Sequence, residues 1–498
     1  MVGKWHVTSV PETGPTGPFD GWPLGRGFDR FYGFMDAETD QYSPEVVRDN
    51  SHTTAPGTYE TGYHLRTGQL QDTVVIVTSD NGASQEGGPQ GFVNAMGPYS
   101  GIPEPMEAKL ARLDDIGGPD THSNFPWGWA MAANTPLKRY KQNTHGGSIR
   151  DPLVISWPAG ISHDAQRDAV RTQFCHASDL LPTLVEALHL HLPERVNGVE
   201  QMPLEGTSFA STFASGDSGA GAETGKRTQY FEMFGHRGLW QDGWKAMAYH
   251  APSTPFEDDT WELYHLAEDF AENHDLAQQQ PERLSGMIAE WWRQAEAHQV
   301  LPLDDRFAER FAENGARAHA GRRRYEMWAG MGHIPSDVAP DLRSRSYTIT
   351  AHVDIPATGA EGVLIAHGDS TTGYSLYVQD GHLVHDLNIG GSHQIVRSSD
   401  RVPAGSHTMG FRLQRNEGVG TGTLLIDGAA AGEMRTKDIF RLFISWSGLD
   451  IGLDRGSPVS HYASPFLFTG TLRKVVVDMD DDQDVDHDGA GQVVLARG

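Results

Sequence analysis

The sequence beyond Ser346 constrains the fold most, because every apolar segment in it is short and typical of a β-strand. The segments are rich in β-branched and aromatic residues, and turns such as Asp380-Gly381 and Asp427-Gly428 separate them. Short strands that follow one another closely, with turn signals between them, are typical of a β-sandwich. We therefore predict a β-sandwich over residues 346–478. Its predicted strands are 347–355, 362–366, 374–379, 383–387, 409–413, 423–426 and 472–477.

The first half of the chain has α/β signals instead. The run 73–78 is apolar and β-branched, and the turn residues Ser79-Asp80-Asn81-Gly82 follow it. It therefore predicts a strand that is buried on both faces, as in a parallel or mixed sheet. A second run of this kind covers 153–157. Apolar residues at helical spacing over 180–188 then predict an amphipathic helix, and this alternation of strands and helices indicates an α/β layered domain.

Between these regions the pattern predicts a smaller antiparallel subdomain with helices. Its strands are predicted at 229–233, 244–249 and 261–264, and its helices at 287–297 and 304–323. The predicted organisation is a partial α/β domain over 1–224, the subdomain over 225–345, the sandwich over 346–478 and an acidic tail over 479–498.

Charge and cysteine content exclude several classes of protein. The formal net charge is −27, so the chain lacks the basic surface that nucleic acids and anionic membranes attract, and we expect neither partner. Cys175 is the only cysteine, which excludes a disulfide framework. No signal peptide and no apolar run of about 18 residues is visible. We therefore expect a cytoplasmic chain by default, and the pattern makes no prediction of the oligomeric state.

Two short motifs contain candidate site residues. Asp80 and Asn81 follow the strand predicted at 73–78, and the crevice beyond strand ends is where open α/β sheets bind ligands. Their carboxylate and amide oxygens suit Ca²⁺ or Mg²⁺, although Asp-Asn-Gly is also a common turn sequence. Lys4 and His6 are two residues apart on an extended segment, so their side chains are predicted to point the same way. Together they would favour the binding of an oxyanion. An ordinary exposed strand face gives the same spacing.

Lys141 lies in a locally basic loop of an otherwise acidic chain. A small cationic pocket suits an enzyme for small anionic esters, because it concentrates positive charge where the ester anion binds. On spacing alone, a solvated run of charge explains the loop equally well.

Together with two further segments, these motifs resemble the sulfatase family. The resemblance is to the large bacterial-type arylsulfatases of the alkaline-phosphatase-like superfamily, and it extends over nearly the whole chain. It implies an alkaline-phosphatase-like mixed-sheet domain, a smaller antiparallel subdomain and a concanavalin- or laminin-G-like β-sandwich. The segments that carry it are Gly3-Lys4-Trp5-His6, Ser79-Asp80-Asn81-Gly82, Asn134-Thr135-Pro136 to Lys141-Gln142-Asn143-Thr144, Arg150-Asp151-Pro152-Leu153 and Trp261-Glu262-Leu263-Tyr264.

The resemblance also implies a calcium-dependent hydrolase of small sulfate esters. The family nucleophile is a formylglycine, made from Cys or Ser in a Cys/Ser-x-Pro-x-Arg motif. By position, Asp80 and Asn81 are the implied calcium ligands. Lys4 is implied to bind sulfate and the formylglycine, and His6 to help regenerate the aldehyde. Lys141 is implied to hold the sulfate and to assist the leaving alcohol.

Three departures from the family pattern predict a truncated and internally deleted member that is inactive or a fragment. The sequence contains no Cys/Ser-x-Pro-x-Arg, so no formylglycine precursor is present. It also lacks the upstream strand with two further metal carboxylates, so Ca²⁺ binding is expected to be weak or absent. The family's stretch with another sulfate-binding His is missing between Tyr63-His64-Leu65 and Gly68-Gln69-Leu70. In addition, the family's Glu-Gly-Gly is His145-Gly146-Gly147 here.

Two other functions remain open from the sequence. The first is a phosphodiesterase or phosphonate hydrolase of the same superfamily, because sulfate and phosphate esters share their geometry. The second is a non-catalytic carbohydrate-binding module in the sandwich. Trp446, Tyr374 and Tyr377 would then stack on sugars, whereas core packing is the alternative role for each of them.

Overall fold

The structure of the chain is a computed structural model. It describes residues 1–5, 7–8, 12–15, 17–35, 45–53, 73–161, 170–196, 198–213, 222–306, 321–416, 419–436, 438–441, 443, 445 and 447–484. Within this part of the chain, no helix combines the length and the apolar composition needed to cross a lipid bilayer.

β-Strands make up most of the regular structure that is described. The first twelve are β1 (Val2–Lys4), β2 (Tyr32–Phe34), β3 (Val46–Arg48), β4 (Ser51–Thr53), β5 (Val75–Thr78), β6 (Leu153–Ser156), β7 (Arg195–Val196), β8 (Val199–Glu200), β9 (Thr228–Met233), β10 (His236–Gln241), β11 (Trp244–Ala248) and β12 (Trp261–His265). They are followed by β13 (Arg324–Trp328), β14 (Tyr347–Ile355), β15 (Gly362–Asp369), β16 (Thr372–Gln379), β17 (His382–Ile389), β18 (Ser392–Arg401), β19 (Gly405–Asn416), β20 (Val419–Ile426), β21 (Ala429–Thr436), β22 (Leu449–Ile451) and β23 (Thr471–Met479). The α-helices are α1 (Met96–Tyr99), α2 (Met106–Ala111), α3 (Trp127–Ala133), α4 (Gly146–Ile149), α5 (Leu180–Ala187) and α6 (Pro281–Ala297).

The chain forms two compact units. The first unit consists of Met1–Tyr63, Glu86–Phe125 and Phe307–Gly498, and the second of His64–Gln85 and Pro126–Arg306. Residues 1–224, which the sequence predicts as one domain, therefore contribute to both units.

The first unit contains the predicted β-sandwich. One sheet has the strand order β13-β23-β14-β19-β20-β21 and the other β18-β17-β16-β15-β22. Along β14, Tyr347, Ile349, Ala351 and Val353 are buried and alternate with half-buried residues, as expected for a strand with one face on a core. The predicted sandwich strands are confirmed. β13, β18, β21 and β22 are additional strands, because their short, polar or alanine-rich sequences give no clear apolar run.

Two of the three aromatic residues considered for sugar stacking are buried in this sandwich. Tyr374 belongs to its main core, and Tyr377 belongs to a smaller cluster with Val459 and Tyr462. Their exposed fractions are 1% and 2%, so they pack in the interior and present no face to a ligand. Trp446 lies outside the described residues.

The first unit also contains a small sheet whose first strand ends at Lys4. Its strand order is β1-β2-β3-β4, and β1 pairs with β2 in parallel. The strand expected around Lys4 is therefore present as β1. A separate small core supports this region and consists of Trp22, Phe31, Met35 and Val47.

The second unit is built on the antiparallel sheet β12-β11-β10-β9, against which α6 packs. Leu239, Ala246 and Leu263 from the sheet form one core with Met287 and Trp291 from the helix. Full burial of large apolar side chains such as these stabilises a fold by about 1.5–3 kcal/mol each. β9, β11, β12 and α6 confirm the predicted elements, whereas β10 is additional.

The strand predicted at 73–78 is present as β5, but the prediction of its surroundings is wrong. β5 pairs with β6 in a two-stranded antiparallel sheet, with Val77 opposite Val154. Val75, Val77 and Val154 are 39%, 60% and 59% exposed, so within the described part of the chain β5 is not buried on both faces. A continuous β-branched run predicts a strand, but it carries no information on the number of neighbouring strands.

The two remaining helix predictions have different outcomes. The amphipathic helix predicted over 180–188 is confirmed as α5. The helix predicted over 304–323 mostly falls on 307–320, which lie outside the described residues.

Candidate functional site

Asp80 and Asn81 form the turn after β5, and residues 134–148, here named the Lys141 loop, pack against the segment that follows. The backbone N–H of Lys141 donates to the carbonyl oxygen of Ala83 at 3.0 Å. This bond places the segment that carries Asp80 and Asn81 beside the one that carries Lys141. Asp80 is exposed, whereas Asn81 and Lys141 are half-buried.

Side-chain amides fix the same contact. Asn134 accepts a hydrogen bond from the Ala83 N–H and donates one to the Arg139 carbonyl, both at 3.0 Å. Gln85 donates to the Gln142 side chain at 2.8 Å. The backbone conformation of the loop is unfavourable at two residues, because Arg139 and Gln142 have φ values of 69° and 74°. The left-handed region costs a non-glycine residue roughly 1 kcal/mol, so surrounding contacts must hold this conformation.

Glu262 on β12 binds side chains on both sides of Lys141. Its Oε2 lies 3.3 Å from Lys138 Nζ and 3.3 Å from His145 Nε2, and it accepts the Tyr264 hydroxyl at 2.5 Å. The hydrogen bond from His145 lowers the pKa of Glu262 to about 2, against the opposing effect of burial. Glu262 is therefore ionised at neutral pH. Burial lowers the pKa of His145, so its ring is neutral there and Nε2 is assigned as the donor.

A buried ion pair holds the turn that follows His145. Glu272 accepts the Gly146 N–H at 2.9 Å and binds Lys245 Nζ at 2.6 Å. The side chains of Lys245 and Glu272 are only 3% and 2% exposed. Burial lowers the pKa of Lys245, and the negative charge of Glu272 opposes this shift. The Lys141 loop is therefore anchored by charged side chains of the second unit as well as by its backbone bond to Ala83.

Asp151 brings a second carboxylate to the end of the sheet where Asp80 lies. It lies two residues before β6, and the β5–β6 register ends with Thr78 opposite Leu153. Burial, and after it the charge of Asp80, raises the pKa of Asp151 to about 6. The Asp80 carboxylate is therefore near enough to affect the ionisation of Asp151.

The remaining predicted residues belong to the other unit. Lys4 ends β1 in the first unit, and its side chain is exposed, whereas Asp80, Asn81 and Lys141 belong to the second unit. His6 lies outside the described residues. The convergence of Lys4 and His6 on one anion therefore stays a prediction.

The side chains around Asp80 do not by themselves fit a resident Ca²⁺. Within the described part of the chain, no three or more His, Cys, Asp or Glu side chains form a group that could hold a metal ion. Ca²⁺ takes about 6–8 oxygen ligands, whereas Asp80, Asp151 and Asn81 offer two carboxylates and one amide. No chemistry at this site is therefore assigned to a metal ion.

The residues that anchor the Lys141 loop were not predicted from the sequence. Glu262 lies in a segment that carries the family resemblance, but it had no assigned role. Glu272 and Lys245 belong to no recognised motif, so no sequence signal pairs them with the loop. The one available signal was His145, which stands where the family pattern has Glu and faces the Glu262 carboxylate here.

Comparisons with known proteins bear on the same region. A family model described as "Sulfatase" matches residues 63–190. An uncharacterized sulfatase of Schizosaccharomyces pombe (strain 972 / ATCC 24843) is 30% identical over 254 residues, which make up 49% of this chain and 42% of that protein. The chain therefore spans less than half the length of this curated relative.

Solved structures show weaker similarity. The crystal structure of Ps i-CgsB in complex with k-i-k-neocarrahexaose is 16% identical with a TM-score of 0.39, over 64% of this chain and 76% of that one. Domains LG4-5 of the mouse laminin alpha1 chain are 14% identical with a TM-score of 0.20, over 33% of this chain and 41% of that one. Likenesses of this size assign no function to the chain.

Proposed function

Because this chain belongs to the sulfatase family, we propose that its second unit binds small sulfate esters at Lys141, beside Asp80 and Asn81. We also propose that the chain does not hydrolyse these esters by the family's covalent route. The observation that carries the proposal is the backbone bond from Lys141 to Ala83. It joins two segments that the sequence independently marked as candidate ligand sites.

Electrostatics support an anion at this loop. Lys138, Arg139 and Lys141 place three cations close together in a chain whose formal net charge is −27. A local concentration of positive charge attracts small anions, and an ammonium group forms strong, charge-assisted hydrogen bonds with sulfate oxygens. We assign the sulfate to Lys141 because its backbone is the one bonded to the segment that contains Asp80 and Asn81.

We expect no hydrolysis by the covalent route, because the sequence lacks the family's nucleophile. Covalent catalysis needs an activated nucleophile, and the sequence contains no motif from which a formylglycine is made. Cys175, the single cysteine, is half-buried, and burial raises the pKa of its thiol. Since the thiolate is the reactive form, Cys175 is a poor substitute.

The roles that the family resemblance implies for Lys4 and His6 stay predictions. Ca²⁺ is proposed to bind Asp80 and Asn81 only weakly, because affinity follows the number and charge of the ligands.

Titration calorimetry with an aryl sulfate, an aryl phosphate and the parent phenol tests the binding proposal. We expect the sulfate to bind and the phenol not to bind. Lys141→Met should weaken sulfate binding about tenfold or more, because it removes a charge-assisted hydrogen bond. Arg293→Gln is the matched control, since it removes an exposed cation of α6 in the same unit. Equal binding by phenol, or no effect of Lys141→Met, would contradict the proposal.

An activity assay separates the remaining functions. Aryl sulfate and aryl phosphate are incubated with the chain, with and without Ca²⁺, and with the Lys141→Met variant as background. We expect no turnover above that background. Sustained sulfate release would refute the non-hydrolytic part of the proposal, and selective phosphate release would favour the phosphodiesterase alternative.

A further inference from the structure

Glu262 connects the sheet of the second unit to the loop that carries Lys141. We propose that Glu262 is a positioning residue, which fixes Lys141 by binding the side chains that flank it, Lys138 and His145. The consequence for sulfate affinity rests on the proposed function above, whereas the effect on the loop does not.

The geometry of the contact is convergent. Lys138 Nζ and His145 Nε2 approach the same carboxylate oxygen, each at 3.3 Å. The Tyr264 hydroxyl donates to this oxygen at 2.5 Å and also accepts a hydrogen bond from Lys138 Nζ at 2.9 Å. One carboxylate therefore ties together two points of the loop that enclose Lys141.

The element that carries Glu262 is well supported. Glu262 and Tyr264 flank Leu263 on β12, and successive side chains of a strand point to opposite faces. Leu263 is fully buried in the core that contains Trp291, so the strand is held from the side opposite Glu262. The carboxylate thus projects from a fixed platform toward the loop.

The enclosed segment needs such support. Both of its non-glycine residues in the left-handed region, Arg139 and Gln142, lie between Lys138 and His145. A lysine side chain has many rotamers, so the position of its ammonium group depends first on where its backbone is held. Without Glu262, relaxation of Arg139 and Gln142 would move the backbone of Lys141.

The charge of Glu262 is essential to this role. Lys138 contributes a charge-assisted bond, and His145, whose ring is neutral, contributes an ordinary one. Glu262→Gln keeps the volume of the side chain but removes its charge and presents an amide to Lys138. We therefore expect the substitution to weaken both contacts while β12 stays folded.

Hydrogen exchange of the intact chain tests the positioning directly. Glu262→Gln should speed exchange of peptides that contain the Lys141 and Gly147 amides about tenfold or more, since hydrogen bonds to charged groups are strong. Peptides from β9 to β11 should keep their wild-type rates. The matched control is Glu290→Gln, which removes the carboxylate that pairs with Arg293 on α6. Unchanged exchange in the loop, or equally faster exchange across the whole sheet, would overturn the proposal.

A double-mutant cycle tests the consequence for sulfate. Glu262→Gln should weaken aryl sulfate binding about tenfold in the wild-type background and have no further effect in Lys141→Met. Additive losses would show that Glu262 does not act through Lys141. If the wild-type chain binds no sulfate, the proposed function fails, and the exchange experiment still decides whether Glu262 positions the loop.

Discussion

Gly82 and Gly147 approach each other so closely that a Cβ atom on Gly82 would lie 1.7 Å from the carbonyl oxygen of Gly147. The Gly82 N–H also donates to the carbonyl of Ser148 at 3.0 Å. The turn that carries Asp80 and Asn81 therefore meets the end of the Lys141 loop through bare backbone, which no other residue type allows.

Gly82→Ala should separate these two segments. The added methyl group overlaps backbone atoms, which cannot rotate away as a side chain can. We expect the free energy of unfolding to fall by about 1–3 kcal/mol and aryl sulfate affinity to fall about tenfold. Urea unfolding and calorimetry measure the two effects. Gly286→Ala in α6 is the control, because nothing lies within 4 Å of its added Cβ. It should raise stability by about 0.5–1 kcal/mol, and a neutral Gly82→Ala would refute the contact.

Lys245→Met should be strongly destabilising. The substitution leaves the Glu272 carboxylate buried without its cation, and breaking a buried pair in this way costs about 3–5 kcal/mol. The double variant Lys245→Met/Glu272→Gln should recover part of this loss, because no buried charge remains. Urea unfolding of the three proteins tests this prediction. A single variant that loses less than about 1 kcal/mol would show that Glu272 reaches water or another cation.

The sequence predicts the sandwich better than it predicts the second unit. Strands such as β14 alternate between core and half-buried positions, and this alternation can be recognised in the sequence. The surroundings of β5 are not visible in this way, because its run of valine and isoleucine suits a central strand and an exposed pair equally well. β18 and β21 were missed because polar or alanine-rich strands give little apolar signal.

For the candidate site, the sequence supplies the segments but not their anchors. Asp80, Asn81 and Lys141 follow from local chemistry and the family resemblance. The contacts that hold the loop come from far along the chain, since His145 meets Glu262 across 117 positions and Gly146 meets Glu272 across 126. No local pattern reports such pairs, and they become visible only when the fold is known.

His385 should make the sandwich less stable as the pH falls. It stacks on Phe411 in the core, with ring centroids 3.5 Å apart and neither ring nitrogen hydrogen-bonded. Burial lowers its pKa from 6.5 to about 3. Below about pH 6.5 the unfolded chain binds a proton that the folded chain excludes, so stability falls by about 1 kcal/mol per pH unit.

His385→Phe should remove this pH dependence. It should also raise the free energy of unfolding by about 1–3 kcal/mol at neutral pH, because it removes the two buried ring nitrogens that lack hydrogen bonds. Calorimetric unfolding near pH 7 and pH 5 measures both effects, and His385→Leu serves as the smaller alternative if the phenyl ring does not fit. A variant that keeps the wild-type slope between the two pH values would contradict the prediction.

His333 should make the first unit less stable as the pH rises, which is the opposite of the effect of His385. It lies 2.5 Å from Glu45 and 2.8 Å from Asp450. Burial opposes protonation, but these two carboxylates raise the pKa of His333 to about 10. The stabilisation is therefore complete below about pH 6.5 and is lost as the pH rises through about 10. Denaturant unfolding between neutral and alkaline pH should show this loss in the wild type and not in His333→Gln. Parallel curves would refute the assignment.

A crystal structure of the chain with a bound aryl sulfate would locate the anion relative to Lys141. We expect a sulfate oxygen about 3 Å from the Lys141 ammonium group, with the Lys141 loop still bonded to Ala83. A sulfate bound elsewhere, with Lys141 far from it, would contradict this expectation.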